Sequence, residues 1–152
     1  MAKTELTKEI ERALFYHTKA HLLGIYAAFE VCLGKGYGNE YVDYMTMTST
    51  NRFTCYEIKS SLNDFNSNAK VSFVGDNNYY VMPLELWEKV KEDSGGKLLH
   101  CGVLVYMGDG RFAKGKASPC ETLRISDRVN LMHCMVRSLS RLTTKHIQSH
   151  DK

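Results

Sequence analysis

A chain of 152 residues with 43% hydrophobic and 24% charged residues has the balance of one ordinary globular domain, which argues against both intrinsic disorder and two separate cores. No apolar run approaches the ~20 residues that cross a bilayer, and the charged opening MAKTELTKEIERAL lacks the pattern of a secretory signal, so a cytoplasmic protein is expected. The net charge of +3 permits a nucleic-acid partner without requiring one.

Residues 4–23 are expected to form an amphipathic helix, with Leu6, Ile10, Ala13, Leu14 and His17 at helical spacing, Thr4 as N-cap and Gly24 as the stop. Ile25 to Leu33 is dense in aromatic and β-branched residues and reads as a strand that ends in the glycine-rich GKGYG. EYVDYMTMT and RFTCYEIK follow as two strands of a hairpin. Residues 60–78 are polar, with one helical turn near Asp64 to Lys70 that Asp64 caps while Phe65 packs inward, and NYYVMP is a short strand. LELWEKVKED fits a helix with Leu84, Trp87 and Val90 on its inner side, closed by SGG. LLHCGVLVYM is the apolar strand of a sheet centre, DG turns the chain into a strand over 111–116, and 121–142 is a helix. That last helix is expected to turn Leu123, Val129, Met132, Val136 and Leu139 inward, with a polar tail from about 143. Five cysteines without a CxxC pair read as buried thiols, and His100-Cys101 and His133-Cys134 as core packing rather than a metal site.

The hairpin carries the chemistry. If Ser49, Thr50 and Asn51 form a three-residue turn, Met47 pairs with Phe53, Met45 with Cys55 and Asp43 with Glu57. Two carboxylates placed opposite one another, Cβ atoms roughly 5 Å apart, repel and weaken the sheet. A shared proton relieves that repulsion, and a hard divalent cation bridged by both carboxylates uses the geometry better. Lys59, two residues beyond Glu57 on the same face, then stands beside the metal, where it orients water or steadies charge growing on a phosphate. The plainer reading is a solvated hairpin end with Lys59 paired to the acids. The apolar Met, Phe and Cys positions on the same face favour a buried site instead.

An N-terminal helix carrying Glu, a strand with Asp43, a short turn and a strand ending Glu57-Ile58-Lys59 resembles the PD-(D/E)XK nuclease superfamily, here without the proline before Asp43. Within it the chain most resembles small MmcB-like bacterial and phage DNA-repair nucleases, through FEVCLGKGYGNEYVDYMTM, CYEIKSSLNDF, SFVGDNNYYVMPLELWEKV and MVRSLSR. The resemblance implies a single restriction-endonuclease-like α/β domain over 1–152, with a mixed central sheet of five or six strands flanked by helices. It implies a Mg²⁺- or Mn²⁺-dependent DNA endonuclease in repair, recombination or phage DNA processing. Asp43 and Glu57 would be the metal ligands with the carbonyl of Ile58, Lys59 the catalytic lysine, and Glu11 the helical acid, preferred to Glu9, with Glu30 a competitor.

Ser60, Ser61, Asn63, Lys70, Asn77 and Asn78 are the candidates for holding a duplex or branched DNA backbone, since such groups bind phosphate without reading sequence. Arg124 with Arg128, and Arg137 with Arg141, are spaced for a basic ridge, although a solvated helix face with acid partners accounts for them slightly better. No aromatic series suggests a platform for bases. A non-catalytic binding module on the same fold, acting on nucleic acid or protein in phage–host conflict, is the alternative function, and a homodimer is left open.

Overall fold

The computed structural model describes residues 3–34, 40–67 and 71–151. Ten elements follow the expected order: α1 (Glu5–His17), β1 (Ile25–Cys32), β2 (Tyr41–Thr48), β3 (Phe53–Ile58), α2 (Leu62–Asn66), β4 (Asn77–Pro83), α3 (Leu84–Val90), β5 (Gly102–Gly108), β6 (Arg111–Lys116) and α4 (Ile125–His150). The strands form one mixed sheet of six in chain order. The pairs β1–β2, β2–β3 and β5–β6 are antiparallel, whereas β3–β4 and β4–β5 are parallel and are joined by crossovers that carry α2 and α3. Among the described residues no helix is long and apolar enough to cross a membrane.

Alternation along the strands divides the core into two faces. On one, Ile10, Ala13 and Leu14 of α1 pack on Tyr44, Ile58, Val81, Leu104 and Tyr106. On the other, Leu131, Cys134 and Met135 of α4 cover Ala28, Met45, Phe53 and Cys55, and Phe65 of α2 with Leu86 and Val90 of α3 covers Tyr80, Met82, Val103 and Val105. Half-buried Phe73 touches both of these clusters and makes them continuous.

Several expected boundaries and faces differ. Thr4 caps α1 by accepting from the amide of Thr7 at 3.1 Å, but the helix stops at His17, not at residue 23. Thr18 ends it, hydrogen-bonded to the Tyr44 hydroxyl at 2.8 Å, and Lys19 turns the chain at φ 62°. Leu84 is exposed and Leu86 takes its place in the core beside Val90, with Trp87 half-buried. The inward face of α4 is Leu131, Cys134, Met135 and Ser138, while Val129, Val136 and Leu139 are exposed. Both stripes are at helical spacing, and the contact with β1 selects the first: Ser138 donates to the Phe29 carbonyl at 3.0 Å. The tail expected from residue 143 is helical to His150, because no glycine or proline interrupts 125–150, and Thr143 and Thr144 bond back to the carbonyls of Leu139 and Ser140.

The approach to β4 is crowded at Gly75. A Cβ there would stand 2.9 Å from the carbonyl oxygens of Asn77 and Phe53 and 3.2 Å from the Cys55 amide nitrogen. Backbone atoms cannot step aside as a side-chain tip can, so Gly75→Ala is expected to lower stability by about 1–3 kcal/mol, measured as a fall in the urea midpoint with an unchanged slope.

Candidate active site at the end of the hairpin

The hairpin register is the expected one from the turn to Tyr44–Tyr56: Met47 pairs with Phe53, Thr46 with Thr54 and Met45 with Cys55. The Thr48 amide donates to the Arg52 carbonyl and Asn51 takes φ 64°, so the loop has three residues with a left-handed last position. Beyond Tyr44–Tyr56 the ladder stops. Asp43 then bonds sideways, its Oδ2 accepting from the Ile58 amide at 2.8 Å where a ladder bond would otherwise fall.

The neighbouring strand is irregular at the same level. Pairing of β1 with β2 runs through Phe29–Tyr44 and resumes at Val31–Val42, which leaves Glu30 opposite Asp43. Glu30 has φ 51°, a left-handed conformation that a non-glycine residue adopts at a cost. Val31 and Val42 fall in the same core cluster as Ala28 and Met45, three positions away on each strand, so the alternation slips once, at Glu30 and Asp43. The expectation that Asp43 simply continues the Met45 and Met47 face is corrected accordingly.

Asp43 and Glu57 line a cleft of about 640 Å³ between the start of α1 and the loop into α2. Glu57 is 8% exposed and Lys59 4% exposed. Among the described residues the Oε2 of Glu57 is shielded from solvent and receives no hydrogen bond from a fixed donor, while the Asp43 carboxyl stands within hydrogen-bond reach of the Glu57 side chain. Burial, then the charge of Asp43, pushes the Glu57 carboxyl up to about 8, and burial raises Asp43 as well against the opposing pull of the Ile58 amide and Lys59. Two buried carboxyls side by side are a costly arrangement unless they share a proton, and a hard cation takes the place of that proton and satisfies both groups at once. Two adjacent carboxyls suit a hard cation such as Mg²⁺ or Mn²⁺, which Asp43 and Glu57 would hold, and Ile58 lines the same cleft. Among the described residues no group of three or more His, Cys, Asp or Glu side chains is gathered as a metal cluster, so the core of the site is a carboxylate pair.

The remaining expected residues divide. Glu11 lines the cleft, but its carboxylate receives the Lys3 ammonium at 2.6 Å, and Lys3 also reaches Glu30 at 3.0 Å. Glu9 accepts from the Tyr106 hydroxyl at 2.5 Å and does not line the cleft. Ser60, Ser61 and Asn63 line it as expected. Ser61, rather than Asp64, caps α2, accepting from the Asp64 amide at 3.1 Å. The Asp64 carboxylate instead accepts from the Ser60 amide at 3.2 Å and stands 3.7 Å from Lys59 Nζ, so it fixes both the loop and the lysine. Lys70 lies outside the described residues.

Asn77 and Asn78 are placed elsewhere. The parallel register sets them beside Thr54 and Cys55, at the turn end of β3 and away from Glu57. Asn78 is buried, its side chain bonded to the amide and carbonyl of Gly75, and Asn77 accepts from Arg52 at 3.2 Å. Neither is available to phosphate at the cleft. Nor is there a ridge from Arg124 and Arg128: Arg128 forms a two-pronged pair with buried Asp76, at 2.6 and 2.9 Å, and Arg124 pairs with Asp127. Arg137 donates to the Cys32 carbonyl at 2.9 Å.

Comparison with known proteins adds the fold. The chain is similar to a solved structure of a protein of unknown function from Silicibacter pomeroyi, at 18% identity, with a TM-score of 0.71 over 94% of this chain and 92% of that one. No protein-family model matches, and no curated protein matches. At that identity the likeness shows a shared architecture, a mixed six-stranded sheet flanked by helices, and says nothing of activity. Sequence reading missed Lys3, Thr4, Thr7 and Ser67 on the cleft wall. The only signal for Lys3 was its place one residue before the Thr4 cap, which brings it to the end of α1 that faces the hairpin.

Proposed function

We propose that the cleft is a metal-dependent phosphodiesterase centre acting on DNA, in a cytoplasmic setting of repair, recombination or phage DNA processing. The observation that carries this reading is the buried Oε2 of Glu57, without a fixed donor among the described residues and set beside Asp43, with buried Lys59 on the same wall. Asp43 and Glu57 hold the ion, and the Ile58 carbonyl adds a neutral oxygen. Bound Mg²⁺ or Mn²⁺ supplies Lewis acidity and lowers the pKa of coordinated water. Lys59 is the charge-stabilising group: Asp64, 3.7 Å away, holds its ammonium at the cleft, where it meets negative charge developing on the phosphate oxygens. Ser60, Ser61 and Asn63 line the cleft and offer side-chain donors to the flanking phosphates.

The deciding experiment pairs cleavage with metal binding. Lys59→Ala is expected to slow cleavage of a labelled DNA by about 100- to 1000-fold while Mn²⁺ still binds by calorimetry, the loss typical of removing one preorganised charge-stabilising group. Asp43→Ala is expected to lose both. Cleavage that survives Asp43→Ala at the wild-type rate sinks the proposal. Absence of cutting on every DNA tried, with Mn²⁺ bound, moves the non-catalytic module ahead.

A further inference from the structure

A second cavity, of about 410 Å³, adjoins the cleft, and Glu11 lines both. Its other walls are Arg12, Phe15 and Tyr16 of α1 and Phe29 of β1. The Phe15 and Tyr16 rings meet edge to face with centroids 5.4 Å apart, and the Arg12 guanidinium lies 5.6 Å from the centre of the Tyr16 ring. Phe29 is braced by Tyr44 beneath it, at 4.5 Å. Tyr16 is 50% exposed, its ring touched by the His21 ring at 5.2 Å, and the core side of α1 is made by Ile10, Ala13 and Leu14, so the Tyr16 ring lies outside the core cluster.

Aromatic faces with a guanidinium beside them are the chemistry that takes an unpaired base and its phosphate. A base inside a duplex has both faces covered by its neighbours and offers nothing to such a surface until it is unstacked. The carboxylate cleft makes a matching demand. Glu57 lines the cleft with its Oε2 shielded from solvent, so a phosphodiester that reacts there sits below the surface, which a flexible strand reaches more readily than a stacked duplex.

We infer that the aromatic cavity holds an unpaired base of the strand whose phosphodiester lies at Asp43 and Glu57, so that the substrate is single-stranded DNA or the frayed end of a duplex. The inference rests on the phosphodiesterase reading for the neighbouring cleft and adds the substrate class. Arg12 meets the phosphate next to the stacked base, and Tyr16 presents its exposed face to the base itself.

The test is fluorescence anisotropy of one labelled oligonucleotide, free and annealed into a blunt duplex, with Ca²⁺ as the divalent ion. Wild type, Tyr16→Ala, Tyr16→Phe and Arg12→Ala are compared, with thermal melts to show that each is folded and Mn²⁺-supported cleavage measured in parallel. The single strand is expected to bind at least tenfold tighter than the duplex. Tyr16→Ala is expected to weaken single-strand binding about tenfold, the size of one base–aromatic stack, while Tyr16→Phe keeps it and duplex binding does not change. Duplex bound and cut as well as the single strand overturns the inference, as does a Tyr16→Ala variant with unaltered single-strand affinity; cleavage that still needs Lys59 in either case leaves the phosphodiesterase reading standing. Conversely, Tyr16-dependent binding of the single strand without any cutting removes that reading and keeps the base site.

Discussion

Asp76→Ala is expected to destabilise the fold by about 3–5 kcal/mol, the cost typical of stripping one partner from a buried ion pair and leaving the other charge unsatisfied. Asp76 is 0% exposed and joins three parts of the chain. Its carboxylate takes both prongs of the Arg128 guanidinium, at 2.6 and 2.9 Å, together with the amides of Phe53 at 2.8 Å and Leu123 at 3.3 Å. Its own amide donates to the Phe53 carbonyl and its carbonyl accepts from Glu121, both at 2.8 Å. One side chain thereby ties the start of β3 and the approach to β4 to the segment that opens α4, and Arg128 also donates to the Asn51 carbonyl in the hairpin loop. Urea denaturation measures the loss; a change under about 1 kcal/mol would contradict the account. Arg128→Met is expected to cost a similar amount, and the double variant less than the sum of the two, because the second substitution removes a charge already stranded by the first. Although burial opposes it, the Arg128 and amide bonds hold the Asp76 carboxyl below its ordinary 3.8. A depressed folded-state value means that the unfolded chain binds the proton first as pH falls. The stabilisation is complete above the ordinary value and is lost as pH drops through the folded one, so the acid limb of the wild-type stability curve should be blunted in Asp76→Ala.

The hairpin was legible because two constraints agreed. Met45 and Met47 alternate against Phe53 and Cys55, and three polar residues ending in Asn51 suit a loop whose last position is left-handed. The order of helices and strands was legible for the same reason, since each period change is bounded by glycine, proline or a polar cap. What the sequence could not decide was any choice between two faces of similar composition. Helix α4 carries apolar residues at 129, 136 and 139 and again at 131, 134 and 135, with Met132, half-buried against the core as expected, between them, and only the position of β1 decides which stripe is covered. Arg128 was indistinguishable from a surface arginine until Asp76, 52 positions earlier, was brought beneath it. Asn77 and Asn78 belong in sequence to the polar segment after Lys59, yet the parallel register carries them to the far end of β3. The aromatic cavity was invisible as a series, because Phe15 and Tyr16 sit on a helix and Phe29 on the next strand. The slip at Glu30 has no local marker, since nothing in AAFEVC requires a positive φ; its cause is the fit of β1 to a β2 that turns Asp43 aside.

Glu57→Gln should abolish metal-dependent cleavage, by 1000-fold or more, and at the same time make the metal-free protein more stable at pH 8. The two outcomes share a cause. The folded protein keeps the Glu57 proton up to about 8, because the carboxyl is buried against Asp43, whereas the unfolded chain releases it near the ordinary 4.5. Between those values the folded state binds more protons than the unfolded one, so raising pH favours unfolding, by up to about 1.4 kcal/mol for each pH unit. In a chelator the wild type should therefore weaken steadily from about pH 5 to pH 8, and the glutamine variant should show a flatter curve that lies above it at the alkaline end. A cation competes with the proton for the same oxygens, so Mn²⁺ affinity of the wild type should climb with pH up to about 8, with proton release on binding and a rise in melting temperature that the variant lacks. A glutamine variant less stable than the wild type in chelator at pH 8 would mean that Glu57 is a structural acid with a partner of its own. A more stable and inert variant is the signature of a fold that carries an uncompensated carboxylate for the sake of the ion it binds.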